Sequence, residues 1–557
     1  MKTVSFKIKI VCIFLLSMFF LIAVRLFWVQ IVKYGFYSQE VSKESKRIIK
    51  SQPLRGNIYD RNMMPLATSM TAGSCYIDTK KANGLDINLF SKCVNMPPAE
   101  IRSKLNKNKN TVLIKRKLLP DEVLKIKSKN FPGVYFTDEQ LRYYPENSLA
   151  SYVVGVTGMD NKGLSGIEYL FDGFLAGKSQ KYTVIKDGKG REINLDNNLK
   201  DDSRYVVLTI DNHLQYIADA VIKKAYNTKS PKSITCIIQN PSTGEILAMS
   251  SYPAFDPNKK IDSEKLKNPA VSDAFEPGSV FKIVPVSAAL ETHPQIRSEK
   301  FFCENGSYKI ARNVTIHDHE KYGLLTFEEI LAYSSNIGFA KLSKIIGDQD
   351  LWQYARYYGY GMKTGIELAG EESGSLNPPA KWSGVSCQMM SFGQGLSATA
   401  LQIVNSFSAV ANGGILMEPK IVKSVIYNDK EIQKLEPVRI RRVVSADTAA
   451  SIRKMLEAVV DYGTGTQAKI DGVKIAGKTG TAQKYDKHLR RYSDSKYVSL
   501  FAGFFPSEKP EITVLVVVDE PRGDYWAASV AVPIFRDIST GIIEYMNIGA
   551  QNKLAKK

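Results

Sequence analysis

The sequence predicts a mixed α/β carboxy-terminal region whose sheet is completed by distant parts of the chain. A second mixed α+β region and one amino-terminal apolar helix precede it. Three observations carry this reading. Basic residues Lys2, Lys7 and Lys9 lead into an apolar run from Ile10 to Val32. Strand patterns lie on both sides of a long helical stretch, at 205–210, 235–239 and 245–249 before it and at 474–476, 498–505 and 511–518 after it. The 557 residues leave room for about two to four domains at roughly 150 residues each.

The amino-terminal run is 23 residues long, close to the roughly 20 that span a bilayer. Trp28 and Lys33 suit its far interface. A cleaved signal peptide competes with this reading, but no A-x-A-like site follows the apolar core, which favours an uncleaved anchor. The basic residues before the run place residues 1–9 in the cytoplasm and the bulk of the chain outside; Arg25 and Lys33 weaken that asymmetry. No later run is long enough to span.

Next comes a polar, helix-compatible stretch at 33–50, ended by Pro53-Leu54-Arg55-Gly56. Short strands and turns with a lysine-rich stretch at 104–117 continue to about residue 200. The polar segment 187–203, with Gly188 and Gly190, reads as a linker or exposed hairpin. From 205 the order is strand, amphipathic helix at 211–225, hairpin, helices over 265–460, strands, and a last apolar helix at 530–545. No long-range repeat is present. The boundaries expected are 1–9, 10–32 for the anchor, 33–200, 201–548 for the catalytic region, and a basic tail at 549–557.

Composition narrows the function. Hydrophobic residues at 44% and charged residues at 24% are ordinary for a globular protein, with enough core to need no disulfide framework. The six cysteines are scattered, with no CxxC or other metal-ligand spacing. His317 and His319 flank Asp318 with no further ligand nearby, so a polar loop is a better reading than a metal site. The net charge of +19 comes from lysines spread along the chain without a nucleic-acid-binding motif, which argues for a solvated surface, compatible with anionic lipid.

The chemistry centres on Ser279 in Glu276-Pro-Gly-Ser-Val-Phe-Lys282. Pro-Gly enters a helix, and Lys282 is then one turn on and on the same face. A serine hydroxyl needs a base to become a nucleophile, and a desolvated lysine is such a base. Alone, Ser-x-x-Lys is usually a helix cap followed by a solvated lysine. Ser334-Ser335-Asn336 adds a hydroxyl and an amide able to relay a proton and hold a substrate amide. Lys478-Thr479-Gly480-Thr481, after an apolar stretch, offers an ammonium and a hydroxyl to a carboxylate, with glycine allowing close backbone approach. Each has a bland reading as a cap or a turn. Together they form an ordered set, 55 residues from Ser279 to Ser334 and 144 from Ser334 to Lys478.

That ordered set resembles the penicillin-binding proteins. Arg55-Gly-Asn-Ile-Tyr-Asp-Arg-Asn62, Arg142-Tyr-Tyr-Pro145 and Gly163-Leu-Ser-Gly-Ile-Glu168 are similar to the amino-terminal signatures of class B members. Thr209-Ile-Asp211, Phe255-Asp-Pro-Asn258, Gly393-Gln-Gly395 and Gly463-Thr-Gly465 also fit. The resemblance covers nearly the whole chain. It departs at Met63 and Asn147, where the family often has glycine, at Tyr152, where histidine is frequent, and at Ala527 and Ala528, which replace a small-glycine pair.

The resemblance implies a transpeptidase domain like those of penicillin-binding proteins and serine β-lactamases, behind an elongated pedestal or dimerisation-type domain. It implies a D,D-transpeptidase that joins peptidoglycan stem peptides through a Ser279 acyl-enzyme, with Lys282 as base and Ser334 and Asn336 assisting. Lys478, Thr479, Gly480 and Thr481 would bind substrate, and the backbone N–H groups of Ser279 and Thr481 would form the oxyanion hole. β-Lactams would acylate Ser279. No metal or organic cofactor is implied; a lipid II-polymerising glycosyltransferase and divisome membrane proteins are the implied partners. The motif texture looks septal, with elongation-specific synthesis the alternative. A soluble β-lactamase lacks the anchor and the 55–168 signatures. A β-lactam sensor would need more than a nine-residue cytoplasmic end, and a dead scaffold would be expected to lose Ser279 or Lys478.

Overall fold

The computed structural model describes residues 2–51, 53–106, 109–178, 180–186, 192–194, 202–486 and 491–549. Most of the expected 187–203 linker and the tail beyond 549 lie outside them. Residues 1–53 with 177–202 form one compact unit, and 54–176 with 203–557 form another.

In the smaller unit, helix Lys2–Phe27 continues as a π-turn, Trp28–Val32, closed by the Lys33 N–H on Trp28 O at 2.8 Å. The stretch Thr3–Val32 is long and apolar enough to cross a membrane. At 1.5 Å per residue it extends about 45 Å, against a hydrocarbon core of about 30 Å. A helix Tyr34–Ser45 follows, then a strand, Lys46–Ser51. The helix expected through residue 50 therefore ends five residues early, where Ile48 and Ile49 favour extended backbone. That strand pairs antiparallel with Gln180–Lys186, which in turn pairs with Glu192–Asn194.

In the larger unit, the catalytic sheet has five antiparallel strands. They are β1 (Ser233–Gln239), β2 (Ile246–Tyr252), β3 (Ala476–Asp486), β4 (Arg491–Phe505) and β5 (Ile512–Asp519), in the order β2-β1-β5-β4-β3. Early and late segments of the chain thus build one sheet. The strand expected at 474–476 begins at Ala476 and runs on through Lys478 to Asp486, because it pairs with β4 along its length.

Helices α1 (Asn212–Lys229) and α2 (Ala527–Met546) pack together with the sheet around Ile222, Cys236, Val516, Phe535 and Ile538, all buried. Asp211 caps α1 by accepting from the N–H groups of His213 and Leu214, using two donors that a helix start otherwise leaves open. The second core holds the helix Ile283–Thr292, buried on every side from Ile283 to Leu290. A helix apolar all round belongs in an interior.

A seven-stranded sheet joins the 54–176 region to the catalytic region. Asn57–Tyr59 lies parallel to Arg204–Leu208 and antiparallel to Pro65–Asp78. The three amino-terminal signatures meet here. Arg55 donates to Glu168 Oε2 at 2.7 Å and to Asp172 Oδ1 at 2.7 Å, and Arg142 donates to Glu168 Oε1 at 2.6 Å. Glu168 is fully buried. Asn258 exchanges two hydrogen bonds with the Tyr144 backbone, which ties the catalytic-region signature to the amino-terminal one. Met63 and Asn147 have φ of 66° and 53°, the left-handed region that favours glycine.

Candidate active site

The Ser279 segment differs locally from the expected helix start. Gly278–Lys282 is a 3₁₀ turn and the α-helix begins at Ile283. Gly278 has φ +55°. A Cβ there would meet Ala482 Cβ at 3.2 Å, and one on Gly393 would strike Gly278 O at 2.0 Å. The Ser279 turn is therefore pressed between β3 and the 393–395 turn, and glycine is what lets the three backbones approach. Gly480 on β3 faces the same turn: a Cβ on it would lie 3.1 Å from Val280 Cγ1.

Lys282 points inward and is fully buried. Its Nζ donates to Ser334 O at 2.7 Å, Ser334 Oγ at 3.2 Å and Asn336 Oδ1 at 2.9 Å, and lies 5.1 Å from the centre of the Phe339 ring. Three of the four expected catalytic residues are thus in direct contact. Ser279 is the fourth, half-buried and three residues along the same turn. Burial pushes the Lys282 ammonium down to about 7, with the Asp318 charge acting against that shift. A lysine in that range supplies neutral amine at ordinary pH.

Lys478 is also fully buried. Its Nζ donates to Thr479 O at 3.2 Å and to Thr479 Oγ1 at 3.3 Å. Burial first, and the charge of Lys282 second, hold it well below the ordinary lysine range. Thr479 Oγ1 shares a 2.6 Å hydrogen bond with Thr464 Oγ1, and Thr464 N–H donates to Ala332 O at 3.1 Å. Thr481 Oγ1 accepts from Ala527 N–H at 3.1 Å. Lys478, Thr479, Gly480 and Thr481 all lie on the edge strand of the sheet, where one side of the backbone ladder has no neighbouring strand.

Ser334 has φ 60°. A non-glycine residue held there stores about 1–3 kcal/mol and persists only where its surroundings fix it. Asp318 does much of that fixing. It accepts from Ser335 Oγ at 2.6 Å and from Ile337 N–H at 3.0 Å, while Ser335 caps the following helix through Gly338 N–H at 2.9 Å. Asn336 Nδ2 donates to His317 O at 3.1 Å. His317 ends the strand Val314–His317, and Asp318 and His319 follow it as a polar bend that supports the site, with the His319 ring 4.3 Å from that of Trp526. Among the described residues no group of three or more His, Cys, Asp or Glu could hold a metal ion. Sequence reasoning noticed Asp318 as part of this loop and missed its role; only the contacts reveal it.

Comparisons with known proteins show the family. The family described as penicillin binding protein transpeptidase domain matches residues 234–540, and the penicillin-binding protein dimerisation domain matches 50–204. Stage V sporulation protein D of Bacillus subtilis is 32% identical, covering 100% of this chain and 88% of its own. The Escherichia coli peptidoglycan D,D-transpeptidase FtsI is 29% identical over 98% of this chain and 92% of its own. The crystal structure of penicillin-binding protein 3 from Mycobacterium tuberculosis, complexed with ampicillin, superposes with a TM-score of 0.70 at 29% identity, covering 90% of this chain and 97% of that one. Matched in both its amino-terminal and its catalytic region, the chain belongs to the penicillin-binding protein transpeptidases, as a class B member.

Proposed function

We propose that the chain cross-links peptidoglycan stem peptides through an acyl-enzyme on Ser279, during septal wall synthesis. The observation that carries the catalytic reading is the fully buried Lys282, held at Ser334 and Asn336 with its ammonium pushed down to about 7. Neutral Lys282 takes the Ser279 hydroxyl proton as Oγ attacks the carbonyl between the last two D-alanines. Ser334 passes a proton to the departing D-Ala amine. A neighbouring stem's amine then attacks the acyl group and regenerates the serine.

Lys478 and Thr479 receive the terminal carboxylate. That anion stabilises the charged form of Lys478, and the resulting positive charge opposes protonation of Lys282. Substrate binding thereby keeps the base free. The Ser279 and Thr481 N–H groups hold the oxyanion, a donor of this kind contributing about 3 kcal/mol in other enzymes. β-Lactams, as in the ampicillin complex of the mycobacterial relative, would follow the same route and stop at the acyl-enzyme.

The helix Thr3–Val32 anchors the protein in the cytoplasmic membrane, with the catalytic region on the extracytoplasmic side. A glycan-polymerising partner and divisome membrane proteins complete the assembly. The likeness to the peptidoglycan D,D-transpeptidase FtsI supports the reaction, and the motif texture around Ser279, Ser334 and Lys478 supports the septal role. The likeness to stage V sporulation protein D along the whole chain favours a second reading, spore-wall synthesis. Depletion separates them: filamentous cells support the septal role, while normal division with defective spores supports the other. The catalytic reading is tested with fluorescent penicillin on the full chain in detergent. Wild type should be labelled and Ser279→Ala unlabelled; persistent labelling of the variant sinks it.

A further inference from the structure

Three residues before Ser279 lies a carboxylate that the transpeptidation scheme does not use. Glu276 Oε1 accepts from Gly395 N–H at 2.9 Å and from the Tyr492 hydroxyl at 3.1 Å. These donors come from different walls of the site. Gly395 belongs to the 393–395 turn, where Gly393 and Gly395 have φ +85° and +81°. Tyr492 lies near the start of β4, opposite Tyr485 on β3, and their rings meet edge to face at 5.5 Å. The same β3 strand carries Lys478 to Thr481 further along.

The backbone around Glu276 is stitched to the same turn. Gly278 N–H donates to Gly393 O at 3.1 Å, and Phe275 pairs with Ala398 beyond it. Glu276 is thus a side chain that hydrogen-bonds the β3–β4 hairpin to the segment leading into the Ser279 turn. Its other oxygen, Oε2, is buried without a hydrogen-bond partner among the described residues. Burial raises its pKa, opposed by the Gly395 and Tyr492 hydrogen bonds. A buried carboxylate oxygen without a partner is costly, so the surrounding fold holds Glu276 in place against that cost.

We propose that Glu276 is a positioning residue for the acylation step: one carboxylate oxygen fixes the Ser279 turn relative to the 393–395 turn and to the β3–β4 hairpin, and so sets the distance between nucleophile and carboxylate-binding strand. It acts through Ser279 and touches no reacting atom. The inference rests on the Ser279 reading. Misplacement of reacting groups by about 1 Å costs on the order of a hundredfold in rate, which is the scale on which losing this clamp should be read.

The test measures the second-order rate of acylation by fluorescent penicillin on the full chain in detergent, per folded molecule judged by thermal unfolding. Glu276→Ala should slow acylation about 10- to 100-fold with little change in the unfolding midpoint. Glu276→Gln keeps an oxygen able to accept both donors and should stay within about threefold of wild type. Tyr492→Phe should slow acylation several-fold, and combining it with Glu276→Ala should add nothing, because both remove one interaction. Wild-type rates in Glu276→Ala, a Glu276→Gln variant as slow as alanine, or additive losses in the double variant would overturn the proposal. If Glu276→Ala does not fold, Tyr492→Phe decides alone: an unchanged rate overturns it. Labelling that survives Ser279→Ala would instead defeat the underlying reading, so the two failures are distinguishable.

Discussion

Two buried charged clusters stand in the larger unit, and they are assembled differently. Around Glu168, two guanidiniums face two carboxylates, those of Glu168 and Asp172, and further donors and acceptors come from Tyr144 OH, Asn161 O, Glu168 O and Gly56 O. Around Lys282, two lysines are fully buried, the charge of Lys282 helps hold Lys478 low, and Asp318 is the anion that supports Lys282. The first cluster compensates its burial with opposite charge. The second leaves two amines under-compensated, at a cost in protonation free energy that shows as depressed pKa values. Compensated charge specifies a structure; uncompensated charge held in place by a fold marks a site where protons move.

Two substitutions break the comparison most sharply. Lys282→Met removes the proposed base and should lower acylation by about 10²–10⁴-fold, while the unfolding midpoint stays equal or rises, since an apolar chain replaces a desolvated amine. A large fall in stability would show that Lys282 holds the fold as Glu168 does. Glu168→Ala should behave oppositely. It strands Arg142 in the interior and leaves Arg55 with Asp172 alone, and stranding a buried charge costs about 3–5 kcal/mol. The unfolding midpoint should drop, yet the protein that remains folded should acylate at the wild-type rate. A slowed rate per folded molecule would couple the Glu168 cluster to catalysis and remove the distinction.

The same contrast decides what could be read in the sequence. The motifs of Ser279, Ser334 and Lys478 stood out because each is local and the three come in fixed order, and the structure brings Lys282, Ser334 and Asn336 into contact. The continuous apolar run at 512–518 and the strand pattern at 498–505 gave β5 and β4 for the ordinary reason of hydrophobic patterning. Asp318 and Glu276 were not legible in their roles. Their partners lie 17 and 19 residues away for Asp318, and 119 and 216 away for Glu276, and no spacing rule connects them. The 3₁₀ turn at 278–282 was missed because a glycine φ is imposed by the facing backbones of Gly393 and Thr481, not by the Pro-Gly sequence. The joining of Arg55, Arg142 and Glu168 was equally hidden: three signatures were visible, and one ion cluster was not.

The smallest effect sharpens the comparison at its one anion. Asp318 raises the pKa of Lys282 against the stronger effect of burial. In Asp318→Asn that support disappears, so Lys282 should lose its proton at lower pH. In the wild type, acylation should rise as pH increases through about 7, as neutral Lys282 accumulates; in the variant this acid limb should move to lower pH. The asparagine oxygen can accept from Ser335 Oγ or from Ile337 N–H, with poorer satisfaction of both, so the plateau rate should also fall a few-fold as Ser334 relaxes from its left-handed conformation. Stability follows with a definite sign. The folded chain releases the Lys282 proton near 7 and the unfolded chain near the ordinary 10.5, so between these values folding expels a proton and this group's contribution grows more favourable as pH rises. Lys282→Met abolishes that slope. An acid limb that stays in place in Asp318→Asn would mean that burial alone sets the base, and that Asp318 serves only to hold the Ser334–Asn336 turn.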